Sequence, residues 1–200
     1  THSHSDHFCQ KELEFIAPPF AHNLKNAPIK IYGSEAVIKL ASEIEAIFGN
    51  DRFPVELVTL KPFVPVKAGN LTFTPIIASH MPDEQCLNYI VSSDTSSFLY
   101  TCDSGEYDDE TKEFLSGVKL DALLAECTLG TLDYQPIGHM TFQAVLDLRE
   151  SLVKTGSLPN NAKTVITHFS HNIGLLHEEF EAIANPDGVD VAYNGYVVEI

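Results

Sequence analysis

Three imidazoles and a carboxylate fall within the first seven positions of the chain, Thr1-His2-Ser3-His4-Ser5-Asp6-His7. Neutral imidazole and carboxylate are ligands for divalent first-row metals. Residues packed this closely cannot all point the same way, so a turn here would offer His2 and His4 to one ion while Asp6 and His7 face a second. Each ion needs about four to six donors, so partners must come from downstream. A His-rich start is also what a purification tag leaves, but tags are usually unbroken His runs and rarely carry an Asp followed directly by His.

Three apolar segments of strand character supply candidates at their ends. Phe73 to Ser79 runs into His80, Phe98 to Cys102 into Asp103, and Thr164 to Thr167 into His168. Ligand sites in α/β proteins gather where loops leave the ends of strands. One His or Asp in such a place is more often a cap or a loop residue. The three gain weight together, because two imidazoles and a carboxylate are what two half-built metal sites lack.

The elements that would carry these residues can be read from periodicity and caps. Phe8 to Ile16 has helical spacing and ends at Pro18-Pro19. Pro28 to Gly33 alternates as a strand, and Ser34 is a good N-cap for a helix through Phe48 with its apolar stripe at Val37, Ile38, Ala41 and Ile44. Strands are expected at Val55 to Leu60, Leu71 to Ala78, Leu87 to Val91, Phe98 to Thr101, Leu120 to Ala125 and Thr164 to Thr167. Helices are expected at Asp108 to Leu115, Phe142 to Lys154 and Leu175 to Ala184, and a hairpin around Asn194-Gly195 within Val189 to Ile200. Strands and helices alternate without repeats or low-complexity runs, which describes one mixed α/β domain over residues 1–200.

Composition narrows the partners. Twelve Lys and Arg against 28 Asp and Glu give a formal charge of −16, which works against binding a long nucleic acid through its phosphates. A small phosphorylated substrate drawn to metal ions remains compatible. No apolar run reaches the roughly 18 to 20 residues needed to span a bilayer, so no membrane partner is expected. Cys9, Cys86, Cys102 and Cys127 are scattered, with no Cys-x-x-Cys pair. They read as reduced thiols of a cytoplasmic protein, the last three as small core residues. Self-association as a homodimer is compatible with the chain.

Taken in order, His2-x-His4-x-Asp6-His7, His80, Asp103, His139 and Thr167-His168-Phe169-Ser170-His171 resemble the motif series of the metallo-β-lactamase fold. Within it, the match is to the phosphodiesterase branch, which includes phosphoribosyl 1,2-cyclic phosphate phosphodiesterases of the PhnP type and, more distantly, tRNA 3′-processing endonucleases. The resemblance implies an α/β, four-layer αββα sandwich whose N-terminal strands would precede Thr1, so that the domain is expected to be N-terminally incomplete. It implies that His2, His4 and His80 hold one divalent ion, that Asp6, His7 and His168 hold the other, and that Asp103 bridges them. Nitrogen and oxygen donors of this kind accept Mn²⁺, Zn²⁺ or Fe²⁺.

Ala125-Glu126-Cys127-Thr128 and Gly138-His139-Met140-Thr141 resemble the family's motif that sets a non-ligand His over the metals. The implied reaction is hydrolysis of a phosphodiester by a hydroxide held between the ions, with His139 as general acid and Asp6 assisting. Glu126 would orient His139, and His171 would contact substrate or a ligand, whereas His22 and His177 read as surface residues. A small cyclic phosphate or a nucleotide-type diester is favoured, because nothing between His7 and His80 looks like a basic, Gly-rich arm for tRNA. The other readings are an RNA-processing endonuclease, a thioester or lactone hydrolase of the same fold, and a non-catalytic metal-binding protein.

Overall fold

A computed structural model of the chain describes residues 1–25, 27–49, 52–135 and 137–200. After the first turn, a 3-10 helix (Gln10–Ile16) leads to a small β-α-β unit in which β1 (Ile29–Gly33) and β2 (Val55–Thr59) pair in parallel, joined by α1 (Glu35–Phe48). Ser34 starts α1 by accepting the Val37 N–H on its hydroxyl, which satisfies one of the helix's orphan donors. The helix buries Val37, Ala41 and Ile44, and Ile44 packs with Ala17 and Phe53 in a small core of their own.

The remaining strands form one seven-stranded sheet in sequential order: β3 (Val66–Ala68), β4 (Leu71–Ile77), β5 (Leu87–Ser92), β6 (Ser97–Tyr100), β7 (Ala122–Glu126), β8 (Lys163–Thr167) and β9 (Val189–Val191). Its first half is antiparallel and its second half, from β6 onward, is parallel. Connection length explains the change. A tight turn closed by Ser93 N–H donating to the Ser96 carbonyl at 2.8 Å suffices between β5 and β6. The parallel strands are joined instead by crossovers that carry α2 (Asp109–Ser116), α3 (Phe142–Lys154) and α4 (His177–Ala184). Pro75 is tolerated in β4 because β3 reaches only Leu71 to Phe73, which leaves Pro75 past the end of that partner.

The helices cover one face of this sheet. Leu115 of α2, Val145 and Leu152 of α3, and Phe180 of α4 pack against Ile90, Leu99, Leu123 and Ile166. Leu123 is fully buried in the middle of the sheet. Leu123→Ala is therefore expected to cost about 2–5 kcal/mol of stability, checked by denaturant unfolding, because the cavity cannot collapse between two flanking strands. Between the two sheets lies a cavity of about 430 Å³ lined by Tyr32, Leu60, Phe73, Tyr89 and Tyr100, with Thr1 on its wall.

Two expectations need correcting. The hairpin after Val189 does not form among the described residues. Asn194-Gly195 does make a turn, with Tyr196 N–H donating to the Tyr193 carbonyl at 2.9 Å, but β9 pairs only with β8 and no return strand follows. Good turn chemistry cannot make a strand whose side chains find no core, and Tyr193 and Val197 stay exposed. The Pro-punctuated link before Leu71 contains the short edge strand β3, too brief to show alternation.

One directional fact positions the chemistry. β4 and β6 are each antiparallel to β5 and so run the same way, as do β7 and β8. The loops leaving β4, β6, β7 and β8 therefore all emerge at one edge of the sheet, and they carry His80, Asp103, Glu126 through His139, and His168.

Candidate metal centre

The N-terminal turn folds over that edge. His7 and Phe8 N–H groups both donate to the His4 carbonyl, at 3.0 and 2.7 Å, while Leu87 N–H of β5 donates to the Thr1 carbonyl at 3.0 Å. This brings His2, His4 and His7 against the loops of His80, Asp103 and His168.

The carboxylate of Asp103, 3% exposed, is the hub. Its Oδ2 lies 3.5 Å from His2 Nε2, 3.3 Å from His7 Nε2 and 3.4 Å from His80 Nε2, and its Oδ1 lies 3.2 Å from His168 Nε2. His80 Nε2 is also 3.3 Å from His4 Nδ1. Two donor groups share Asp103: His2, His4, His80 and Asp103 in one, and His7, Asp103 and His168 with the Cys102 sulfur in the other. A tetrahedral zinc site with bonds of about 2.0–2.1 Å has donors about 3.3 Å apart, which is the spacing observed.

Tautomers, assigned from the hydrogen-bond network, point the same way. Nδ1 of His2 bonds to Thr1 Oγ1 at 3.1 Å and Nδ1 of His80 to the Gly138 carbonyl at 2.7 Å. Nδ1 of His168 bonds to Thr128 Oγ1 at 2.8 Å, and Nδ1 of His7 faces Cys102 Sγ at 3.7 Å. With Nδ1 carrying the proton, each Nε2 turns a lone pair towards Asp103. His2 and His7 Nε2 are buried and lack a hydrogen-bond partner, a situation costing about 1–3 kcal/mol per group. Burial pushes the His2 imidazole down to about 4, so it is neutral at pH 7. Neutral imidazoles crowding a carboxylate with their lone pairs fit a divalent cation and little else. Asp103 and His168 take positive φ values of 35° and 57° to reach these positions.

Asp6 stands apart. Its carboxylate is 75% exposed and, among the described residues, comes within 4 Å of one imidazole nitrogen, His7 Nε2 at 3.7 Å, while Cys102, read from the sequence as a core residue, takes part in the second group. The reason is local, since Asp6 sits in the turn between His4 and His7 with its side chain outward.

A further imidazole lies beside these groups. The His139 ring centroid is 4.9 Å from that of His80 and 6.2 Å from that of His168. Its Nδ1 donates to Glu126 Oε1 at 2.9 Å, and this hydrogen bond holds the His139 pKa above its ordinary value despite partial burial. Glu126 is fully buried at the end of β7, and it also accepts from the N–H groups of Ser104 at 3.1 Å and Thr128 at 2.7 Å. One carboxylate thus ties the loop of Asp103 to that of His139, and Thr128, which it also holds, reaches on to His168. Thr141 caps α3, its hydroxyl accepting the Ala144 N–H at 3.1 Å, which fixes the approach of His139. Gly138, at φ +75°, sets its carbonyl on His80 and would put a Cβ 3.5 Å from that ring.

His171 is exposed in a 3-10 turn (His171–Ile173) and belongs to neither donor group, and His22 is exposed as well. His177 is half-buried and pairs with Glu181 at 3.3 Å. Thr128 and Gly138 were not singled out from the sequence for their contacts to His168 and His80. Thr128 follows Glu126 by two positions, the one local signal that could have pointed to it.

A family model described as a beta-lactamase superfamily domain matches residues 1–169. No curated protein sequence matches the chain. Among solved structures, the chain is 23% identical over its full length to the metallo-beta-lactamase fold protein YhfI from Bacillus subtilis, covering 75% of that chain with a TM-score of 0.69. It is 22% identical, again over its full length, to a diphosphatase of the PhnP family, covering 69% of that chain with a TM-score of 0.64. It is 14% identical over 86% of its length to zinc-bound PqqB from Methylobacterium extorquens, covering 65% of that chain with a TM-score of 0.66. These likenesses establish the fold. No helix among the described residues is long and apolar enough to cross a membrane.

Proposed function

Because the chain belongs to the beta-lactamase superfamily, we propose that it is a hydrolase with two divalent cations that cleaves a phosphodiester, a small cyclic phosphate or a nucleotide-type diester. His2, His4 and His80 would hold one cation, His7 and His168 the other, and Asp103 would serve both. Zn²⁺ and Mn²⁺ are the favoured ions, with Fe²⁺ compatible with the same donors. Such cations supply Lewis-acid stabilisation of phosphoryl charge and a lowered pKa for water.

The observation that carries the reading is the His139–Glu126 pair. An oxygen leaving group departs as an alkoxide unless it is protonated, and an imidazolium is a suitable donor near neutral pH. The Glu126 hydrogen bond acts to raise the His139 pKa and so favours its protonated form. The proton on Nδ1 is engaged by Glu126, so Nε2–H is the one that can be given up. Similarity to a diphosphatase of the PhnP family adds support for phosphorus as the centre attacked. The charge of −16 favours a small substrate over RNA.

The sign of the pH effect follows. Activity that needs protonated His139 is present below its pKa and is lost as pH rises through it, so Glu126 holds the alkaline limb above where it would lie without that carboxylate. Glu126→Gln removes the stabilising charge, and the alkaline limb of kcat should move to lower pH. An unmoved limb would take the proton-donor role away from His139. The reading as a whole is tested by elemental analysis of the purified protein together with assays of small cyclic phosphates, bis-p-nitrophenyl phosphate, a thioester and a lactone. About two ions per chain with turnover of the phosphodiesters would support it. Turnover of the thioester or lactone alone would transfer the site to acyl chemistry, and bound metal without any turnover would leave a metal-binding protein.

A further inference from the structure

The segment between His2 and His4 is held by a residue outside both donor groups. Glu84 lies in the loop from β4 to β5, four positions after His80. Its Oε2 accepts the Ser3 N–H at 3.2 Å and a short hydrogen bond from the Ser3 hydroxyl. Its Oε1 accepts the Ser34 hydroxyl at 3.0 Å, the same hydroxyl that caps α1. Ser3 is the residue whose backbone sets the relative orientation of the two flanking imidazoles. Among the described residues, its N–H and hydroxyl have no hydrogen-bond partner other than Glu84.

An ionised carboxylate has acceptors only, which suits three converging donors. A neutral side chain of similar shape could satisfy them only by turning its carbonyl towards Ser3. His7 and His168 have other supports, the Cys102 sulfur and the Thr128 hydroxyl.

We propose that Glu84 is a positioning residue for one of the two cation sites, holding His2 and His4 in register through Ser3 and tying them to the start of α1. The assignment rests on the metal reading given above. Residues that orient ligands without touching the ion change affinity by about 10–100-fold when removed, and here the change should fall on one site.

The test is competition of the purified protein with a chromophoric chelator for Zn²⁺, giving two dissociation constants. Glu84→Ala should raise one of them by about 10–100-fold and leave the other in place. Glu84→Gln should restore most of the loss, with its carbonyl on Ser3 and its amide on Ser34. Ser3→Ala, which removes one of the two donors and keeps the rest of the loop, should weaken the same site by a smaller factor. Ser34→Ala breaks the helix side of the clamp, so it should lower the melting temperature and weaken the same site by no more than Ser3→Ala does, with the other constant in place. Equal weakening of both sites in Glu84→Ala, or unchanged constants in both Glu84→Ala and Ser3→Ala, would overturn the proposal. A parent protein that competes for no Zn²⁺ at all would instead overturn the metal reading on which it rests.

Discussion

Asp103→Ala is expected to empty the centre of divalent metal while leaving the sheet intact. Four imidazole nitrogens lie within 3.5 Å of this one carboxylate, and its two oxygens face different members of the set. Removing it takes a donor from both groups and the shared negative charge from between them. The loss in affinity should exceed the factor of about 100 seen when only an orienting partner is removed. Elemental analysis after dialysis should show less than one ion per chain where the parent retains about two. Asp103→Asn, which keeps the shape and discards the charge, should move in the same direction. Retention of both ions in either variant would remove Asp103 from the shared position.

His139→Ala should have the opposite profile, with metal retained and turnover lost. His139 is absent from the four contacts to Asp103, so its removal subtracts no donor from either group built on that residue. The rate on a diester with an alkoxide leaving group should fall by about 10²–10⁴-fold, the usual contribution of a positioned acid. A p-nitrophenyl ester, whose leaving group needs little help from a proton, should suffer much less. That difference between leaving groups is the diagnostic measurement. His139 does lie close enough to Glu126 and His168 to make a third set of donors, so the metal content of the variant must be measured beside its rate. Loss of an ion would make His139 a ligand instead of an acid.

What the sequence made legible divides along physical lines. Helix starts were readable because Ser34, Asp108 and Thr141 each advertise a cap, and each hydroxyl or carboxylate does accept an N–H from its first turn. The donors at strand ends were readable because β4, β6 and β8 are apolar runs that give way, within three residues of their ends, to His80, Asp103 and His168. The beta-lactamase superfamily was legible from the order of these residues. The supports were not. Ser3 and Glu84 are 81 residues apart, and His80 and Gly138 are 58 apart. No local pattern marks such a pair, because only the completed sheet brings the two loops together. Cys102 looked like a small core residue and is buried as one, yet its sulfur faces His7 across the 95 residues that separate them. The hairpin at Asn194-Gly195 failed for the converse reason, since a local signal was strong and no tertiary partner answered it.

The left-handed backbone at Asp103 and His168 bears on how this protein trades stability against use. Neither residue is glycine, and each such conformation costs about 1–3 kcal/mol that the surrounding fold must absorb. Together with the unpartnered Nε2 atoms of His2 and His7, this puts strain where the candidate ligands are. A bound cation would give those two nitrogens a partner, so apparent stability should climb with metal concentration by mass action. Substitutions that relax the two positions would yield a hardier and idle protein, and stability screens conducted without metal would select for inactivation.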